Sequence, residues 1–350
     1  MMPWTATLVR LGEMSNRTLV LPLVVFSPTS RCNSRCISCD WWKRTGEDDL
    51  TIDEIDRVAE EIARLGTRLV VFSGGEPLLR PEVFEAARLF RARGIALHLL
   101  TSGILLERCA ERVARHFAKV HVSLDAIDEP LYERVRGVAA LGTVERGIRT
   151  LRRIAPGLGI TARSTLHREN FRELPRLIDR AKALALDGIS FLAADVSSAT
   201  AFGRQSASDA QPIGLDRQQI AEFALLIEKT IASHHEDFAS GFVAESPDKL
   251  RGLARHYAAV AGDEPFPAVS CNAPWVSVVI EANGSVRPCF FHDVIGNVRT
   301  TPLETIVRRD LAAFRRSLRV GANPVCQRCV CSLKTSWRHA PWHPGTGSRQ

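Results

Sequence analysis

Cys32-Asn33-Ser34-Arg35-Cys36-Ile37-Ser38-Cys39 puts three thiols within eight residues. The stretch follows closely on residues 19–26, an apolar run broken only by Pro22 that reads as a buried strand. Three is an informative number, because a structural zinc site or a closed iron–sulfur site takes four ligands. Three cysteines on a four-iron cubane leave one iron open to a further ligand. On spacing alone, a fragment of a zinc site stays open as an alternative.

Working outward, residues 73–77 follow the next apolar strand and read Ser73-Gly74-Gly75-Glu76-Pro77. The glycines let backbone approach a ligand closely, and Glu76 adds an acceptor. Around these loops strand-like and helix-like segments alternate. Strands are expected at 68–72, 96–100, 119–124, 159–165 and 187–192, and helices at 51–65, 81–93, 105–116, 143–154 and 171–184. The first helix opens on a capping box, Thr51 with Glu54. Six strands alternating with helices require a parallel sheet with crossover helices. Chemistry in such folds gathers at the carboxyl ends of the strands. The cysteine loop, Gly74-Gly75-Glu76, Thr101-Ser102-Gly103, Ser123-Leu124-Asp125 and Arg163 all fall there.

Past residue 192 the pattern changes. Residues 193–214 read as a loop, 216–235 as a long helix capped by Asp216 with Gln219, and 247–261 as a second helix. Strands at 276–281 and 286–289 flank Ala282-Asn283-Gly284-Ser285, a hairpin signal, and 301–318 reads as a helix. The expected division is an N-terminal extension (1–18), a barrel-like core (19–215), a helical connector (216–264), a small cysteine-bearing module (265–335) and a flexible Pro/Gly-rich tail (336–350).

Composition narrows the class. Of 350 residues 45% are hydrophobic and 24% charged, which is globular usage. No apolar run approaches the roughly 20 residues of a membrane span, and no cleavage site of an export signal follows the first strand. The net charge of +7 comes mostly from arginines scattered without a basic block, which argues against nucleic-acid binding. Nine cysteines in a long chain without an export signal suit reduced, cytoplasmic metal ligands better than a disulfide framework. Cys109, on a helix amid apolar neighbours, reads as a core residue.

With these motifs in this order, residues 19–192 resemble the radical S-adenosylmethionine (SAM) superfamily. The resemblance rests on Cys32-x3-Cys36-x2-Cys39, Gly74-Gly75-Glu76-Pro77 and the βα order between them. It implies a partial (βα)6 TIM-like barrel with a [4Fe-4S] cluster on Cys32, Cys36 and Cys39, whose open iron chelates SAM. Gly74, Gly75 and Glu76 are then expected at the cofactor's methionine amino group, Ser123 and Asp125 at its ribose, and Arg163 at its carboxylate. Ser38 departs from the aromatic residue often found there, which weakens adenine stacking.

Cys271-x12-Gly284-x4-Cys289 and Cys326-x2-Cys329-x-Cys331 form a second constellation. It resembles the SPASM/twitch auxiliary-cluster domains of the same superfamily, as a small cysteine-rich α+β module of hairpin plus helix. Five cysteines are too few for two fully ligated clusters, so one further [4Fe-4S] cluster is expected, on Cys271, Cys289, Cys326 and Cys329. Cys331 is unassigned and could replace Cys329; a structural zinc ribbon is the alternative.

The resemblance implies reductive cleavage of SAM to methionine and a 5′-deoxyadenosyl radical, which abstracts hydrogen from a substrate carbon. An external donor such as flavodoxin or ferredoxin supplies the electron. An auxiliary cluster that accepts the second electron favours net oxidation. Only about 18 residues precede the first strand, which favours a small natural-product substrate over a ribosomally made peptide. His292 and Asp293 are weak candidates for a catalytic base. The non-enzyme alternative is an iron–sulfur scaffold or electron carrier, against which the intact Gly-Gly-Glu-Pro motif argues.

Overall fold

The computed structural model describes residues 4–204 and 213–334; the tail expected at 336–350 lies outside them. A helix, α1 (Trp4–Ser15), precedes six parallel strands: β1 (Leu23–Thr29), β2 (Leu69–Gly74), β3 (Ala96–Thr101), β4 (Lys119–Ser123), β5 (Gly159–Leu166) and β6 (Ile189–Ala193). Helices cross between them: α2 (Ile52–Arg64), α3 (Val83–Ala92), α4 (Leu106–His116), α5 (Glu129–Arg136), α6 (Leu141–Ile154) and α7 (Leu174–Ala183). The capping box of α2 is formed in full, with the Thr51 hydroxyl taking the Glu54 N–H and the Glu54 carboxylate taking the Thr51 N–H.

Each strand turns one face to the helices. Val24, Phe26, Val70, Phe72, Leu97, Leu99, Val120 and Val122 belong to one core. Phe26, Phe72 and Phe90 meet there with ring centroids 5.3 to 5.7 Å apart. Each such ring contributes about 1.5–3 kcal/mol by leaving water. The alternate residues form an inner wall that stays partly open. On β4 and β5 the burial strictly alternates, leaving His121, Ser123, Thr161 and Arg163 accessible.

Beyond β6 come α8 (Arg217–Ser233), with a second complete capping box from Asp216 and Gln219, then α9 (His235–Ala239) and α10 (Pro247–Val260). Helix α10 closes the β6 side, where Tyr257 donates its hydroxyl to the Leu166 carbonyl (2.5 Å) and accepts the Ala194 N–H (2.9 Å). After α11 (Ala273–Val276) the hairpin appears as β7 (Ser277–Ile280) and β8 (Ser285–Arg287), followed by the short β9 (Gly296–Asn297).

Three differences from the sequence reading have physical causes. First, β1 begins at Leu23 rather than residue 19. Pro22 has no N–H for a ladder, and its carbonyl instead takes the N–H groups of Arg68 and Leu69. Second, α5 stands between residues 124 and 143, where no element was assigned; Asp128 caps it by accepting the Leu131 N–H, and Pro130 lies in its first turn. Third, the helix expected at 301–318 is broken into α12 (Leu303–Thr305), a π turn (Ile306–Asp310) and α13 (Leu311–Ser317). The widened turn lets Ile306, Val307 and Leu311 all face the core. A last short helix, α14 (Pro324–Gln327), carries Cys326.

The C-terminal hairpin is continuous with the barrel. β7 pairs in parallel with β1, Leu23 opposite Ser277 through Phe26 opposite Ile280. The result is a single nine-stranded sheet in the order β6-β5-β4-β3-β2-β1-β7-β8-β9. Helix α1 supports the junction: Asn272 donates to Glu13 (2.7 Å) and Trp275 Nε1 to Asn16 (3.0 Å).

Candidate functional site

The first cysteine loop leaves the carboxyl end of β1 and is held from three sides. The carboxyl end of α5 receives it: the N–H groups of Arg35 and Ile37 donate to the carbonyls of Arg136 and Val135 (2.8 and 3.1 Å). The β2 loop receives it through Glu76 N–H, which donates to the Arg31 carbonyl (2.8 Å). The segment after β6 receives it through Asp40 N–H, which donates to the Phe202 carbonyl (2.9 Å). Two glycines make the approach possible. A Cβ on Gly75 would stand 2.1 Å from the Arg31 oxygen, and one on Gly137 would stand 2.4 Å from the Arg35 oxygen.

Cys32, Cys36 and Cys39 are unbridged. Burial drives all three thiols up, Cys32 to about 11, and mutual repulsion among the thiolates adds to it at Cys32 and Cys39. The Arg136 guanidinium opposes the rise at each of the three. The three groups are therefore neutral thiols on their own, and a bound cationic centre would be needed to hold them as thiolates. Among the described residues no three His, Cys, Asp or Glu side chains converge on a single-ion position. Three cysteines on one loop without a fourth are the donor set of a cluster that keeps one iron open.

Glu76 is buried beside this loop. One carboxylate oxygen accepts from Leu78 N–H (3.1 Å) and the Thr101 hydroxyl (2.8 Å), and the other from Ser102 N–H (2.6 Å). Burial raises its pKa, and these donors work against the rise. The oxygen with a single donor retains capacity for another. Ser102 reaches on to Asn33 in the cysteine loop (3.2 Å). Ser123 lies on the inner wall, in register with Arg163. Asp125 is turned inward, accepting Thr165 N–H (2.7 Å) and the Arg136 guanidinium (3.0 Å).

The second constellation also assembles. Cys271, Cys289, Cys326 and Cys329 line a small apolar cavity, together with Phe291, His292 and Leu318. Burial pushes Cys326 up to about 11, and repulsion from Cys289 and Cys271 adds to it. Cys331 does not line this cavity; its sulfur accepts from Arg163 Nη2 at 3.7 Å. His292 sits in the cavity wall, with Nε2 3.4 Å from Cys326 Sγ and its ring 4.8 Å from that of Phe314. Asp293 is exposed.

Phe202 joins the two constellations. Its carbonyl takes the Asp40 N–H and the Cys39 thiol (3.4 Å), while its ring lies parallel to Phe290 (6.3 Å) and edge-on to Phe291 (5.8 Å), the residues after Cys289. Sequence reasoning missed this residue, as it missed Arg136 and the inner-wall pair His98 and His121, whose rings are 5.5 Å apart. The polar alternation of Lys119-Val120-His121-Val122-Ser123 carries the signal for His121; nothing local marks Arg136 or Phe202.

Residues 26–181 match the radical SAM superfamily, and residues 271–330 match the SPASM iron–sulfur cluster-binding domain. The chain is a radical SAM enzyme with a C-terminal SPASM domain. Its cofactors are SAM and two [4Fe-4S] clusters. Over 301 residues it is 27% identical to an Fe-coproporphyrin III synthase of Methanosarcina barkeri, covering 81% of this chain and 73% of the relative. It is 26% identical to an AdoMet-dependent heme synthase of the same organism, covering 81% of each. A PqqA peptide cyclase of Rhodopseudomonas palustris is 34% identical over 179 residues, covering 49% of this chain and 46% of the relative. Among solved structures, SuiB of Streptococcus suis shares the fold with a TM-score of 0.66 at 17% identity, covering 93% of this chain and 75% of that one. No described helix is long and apolar enough to cross a membrane.

Proposed function

We propose that this radical SAM enzyme oxidises a small molecule held at the mouth of the barrel. The observation that carries the reading is Phe202, which contacts the Cys39 end of one cysteine loop and the Cys289 end of the other. A second redox centre linked to the first through one residue suits removal of an electron from the substrate. When bound, SAM and the barrel cluster supply a carbon radical able to abstract hydrogen.

The chain's own residues have separable tasks. Cys32, Cys36 and Cys39 hold the barrel cluster, and Arg136 offsets their charge. Glu76 fixes the β2 and β3 loops together and presents a carboxylate toward the cofactor's amino group. Ser123 supplies a polar contact on the inner wall, in register with Arg163. Cys271, Cys289, Cys326 and Cys329 hold the auxiliary cluster. The relatives aligned across both domains are named for tetrapyrroles, which supports a small substrate. The 34% identity to a peptide cyclase over half the chain supports a second reading, modification of a peptide.

Label transfer tests the two. Reduced, reconstituted enzyme is incubated with SAM and with deuterated cell extract, and deuterium is sought in 5′-deoxyadenosine. Transfer from an extract treated exhaustively with protease supports the small-molecule reading. Transfer that protease abolishes sinks it in favour of a peptide.

A further inference from the structure

Arg163 belongs to the inner wall of the barrel, in register with Ser123 of β4 and Ser190 of β6. Its side chain is exposed and makes no ion pair among the described residues. The guanidinium meets the auxiliary domain instead, with Nη2 3.7 Å from the sulfur of Cys331. Cys331 stands outside the four-cysteine cavity, yet its backbone N–H donates to Cys329 Sγ at 3.3 Å. A chain of contacts therefore runs from a barrel strand to a sulfur of the second centre: guanidinium to Cys331 sulfur, then Cys331 amide to Cys329 sulfur.

Both links act in one direction. A reduced iron–sulfur cluster carries one more negative charge than the oxidised one. A nearby cation and an N–H aimed at a ligand sulfur both favour the reduced form. Arg163 supplies the cation, and by holding Cys331 it keeps the amide on Cys329.

We infer that Arg163 is a positioning residue that sets the reduction potential of the auxiliary cluster from the inner wall of the barrel. The inference rests on Cys271, Cys289, Cys326 and Cys329 being the ligands of that cluster, and it deepens the oxidative reading. An electron acceptor needs a raised potential, and Arg163 provides it at the point where the barrel meets the auxiliary domain. The role differs from a contact with the cofactor carboxylate, since the guanidinium's hydrogen bond points to Cys331.

The test is a redox titration of the full-length, reconstituted enzyme, followed by the paramagnetic resonance of the reduced auxiliary cluster. Added SAM marks the signal of the barrel cluster and separates the two. Arg163→Gln removes the charge and Arg163→Lys keeps it. The expected result is a shift of the auxiliary reduction equilibrium in Arg163→Gln of about tenfold or more toward the oxidised form, equivalent to about 59 mV for a one-electron couple. Arg163→Lys should recover most of it, with iron unchanged in both variants. An unchanged potential in Arg163→Gln overturns the inference, whatever happens to SAM affinity. Loss of the auxiliary irons in both variants also overturns it, because Arg163 is then a folding residue. Wild-type protein with about four irons and a single cluster signal instead removes the ligand assignment, and the inference with it.

Discussion

Arg136 donates to Asp125 across 3.0 Å, with both side chains nearly excluded from solvent. The pair sits behind the first cysteine loop and has two jobs. Asp125 passes its other oxygen to Thr165 N–H on β5, while Arg136 offers its charge to Cys36 and its carbonyl to Arg35 N–H. The cluster loop is therefore held by charge and backbone at the same helix end.

That helix end gives the first prediction. Gly137 has φ of 69° and faces the Arg35 oxygen. Gly137→Ala introduces both a left-handed strain and a steric clash, costing about 1–2 kcal/mol. The loop should shift, so the barrel cluster should be lost faster on dilution while the auxiliary cluster is kept. Gly157→Ala, where a Cβ meets nothing within 4 Å, is the control. Equal cluster retention in the two variants would show that the loop does not depend on this contact.

The second prediction separates the neighbouring thiols Cys329 and Cys331. Wild-type protein should hold about eight irons as two cubanes. Cys331→Ser should keep about eight, because its sulfur lies outside the cavity, whereas Cys329→Ser should approach about four. Iron analysis alongside visible absorption decides it; the reverse pattern would make Cys331 the ligand.

The third concerns Glu76. Glu76→Ala strands the N–H groups of Leu78 and Ser102 and the Thr101 hydroxyl, at about 1–3 kcal/mol for each buried group left unpaired. Glu76→Gln keeps one acceptor oxygen and should fold. It loses a hydrogen bond to the charged amine of SAM, an expected fall of roughly 10- to 150-fold in affinity by calorimetry. Wild-type affinity in Glu76→Gln would restrict the residue to holding the loops together.

How much of this was legible beforehand depends on range. Local signals read true: the boxes at Thr51 and Asp216, the Asn283-Gly284 turn and the burial of Cys109 all appear in the fold. The gathering of the cysteines into three after the first strand and five near the C-terminus was legible from spacing; which of Cys329 and Cys331 faces the others was not. Long-range facts were not. Nothing in Ser277-Val278-Val279-Ile280 names β1 as its partner, since any apolar strand offers the same backbone groups. Arg136 looks like every other arginine at the end of a helix until Asp125 and the thiols surround it.

The fourth prediction concerns pH. Burial lowers the imidazoles of His98, His167 and His256 to about 4, and that of His121 well below its ordinary value. Unfolded histidine titrates near 6.5. Because the folded values are depressed, the unfolded chain binds more protons in between. Their contribution to stability is complete above about pH 6.5 and is lost as pH falls toward the folded values. Anaerobic urea midpoints should be flat from about pH 8 to 7 and decline by about pH 5. His256→Gln should make the decline shallower; an unchanged slope there would mean that the imidazole is protonated in the folded state.

The parallel pairing of β7 with β1 also bears on how this chain can be cut. Ending it after the helical connector does not subtract an independent unit. It strips one side of β1 and leaves Leu23-Val24-Val25-Phe26 as a bare, apolar sheet margin with unpaired amides and carbonyls. Such margins recruit strands from other molecules. A shortened chain is therefore expected in the insoluble fraction even though every residue of the radical SAM core is present, and the hairpin serves as the barrel's guard against self-association.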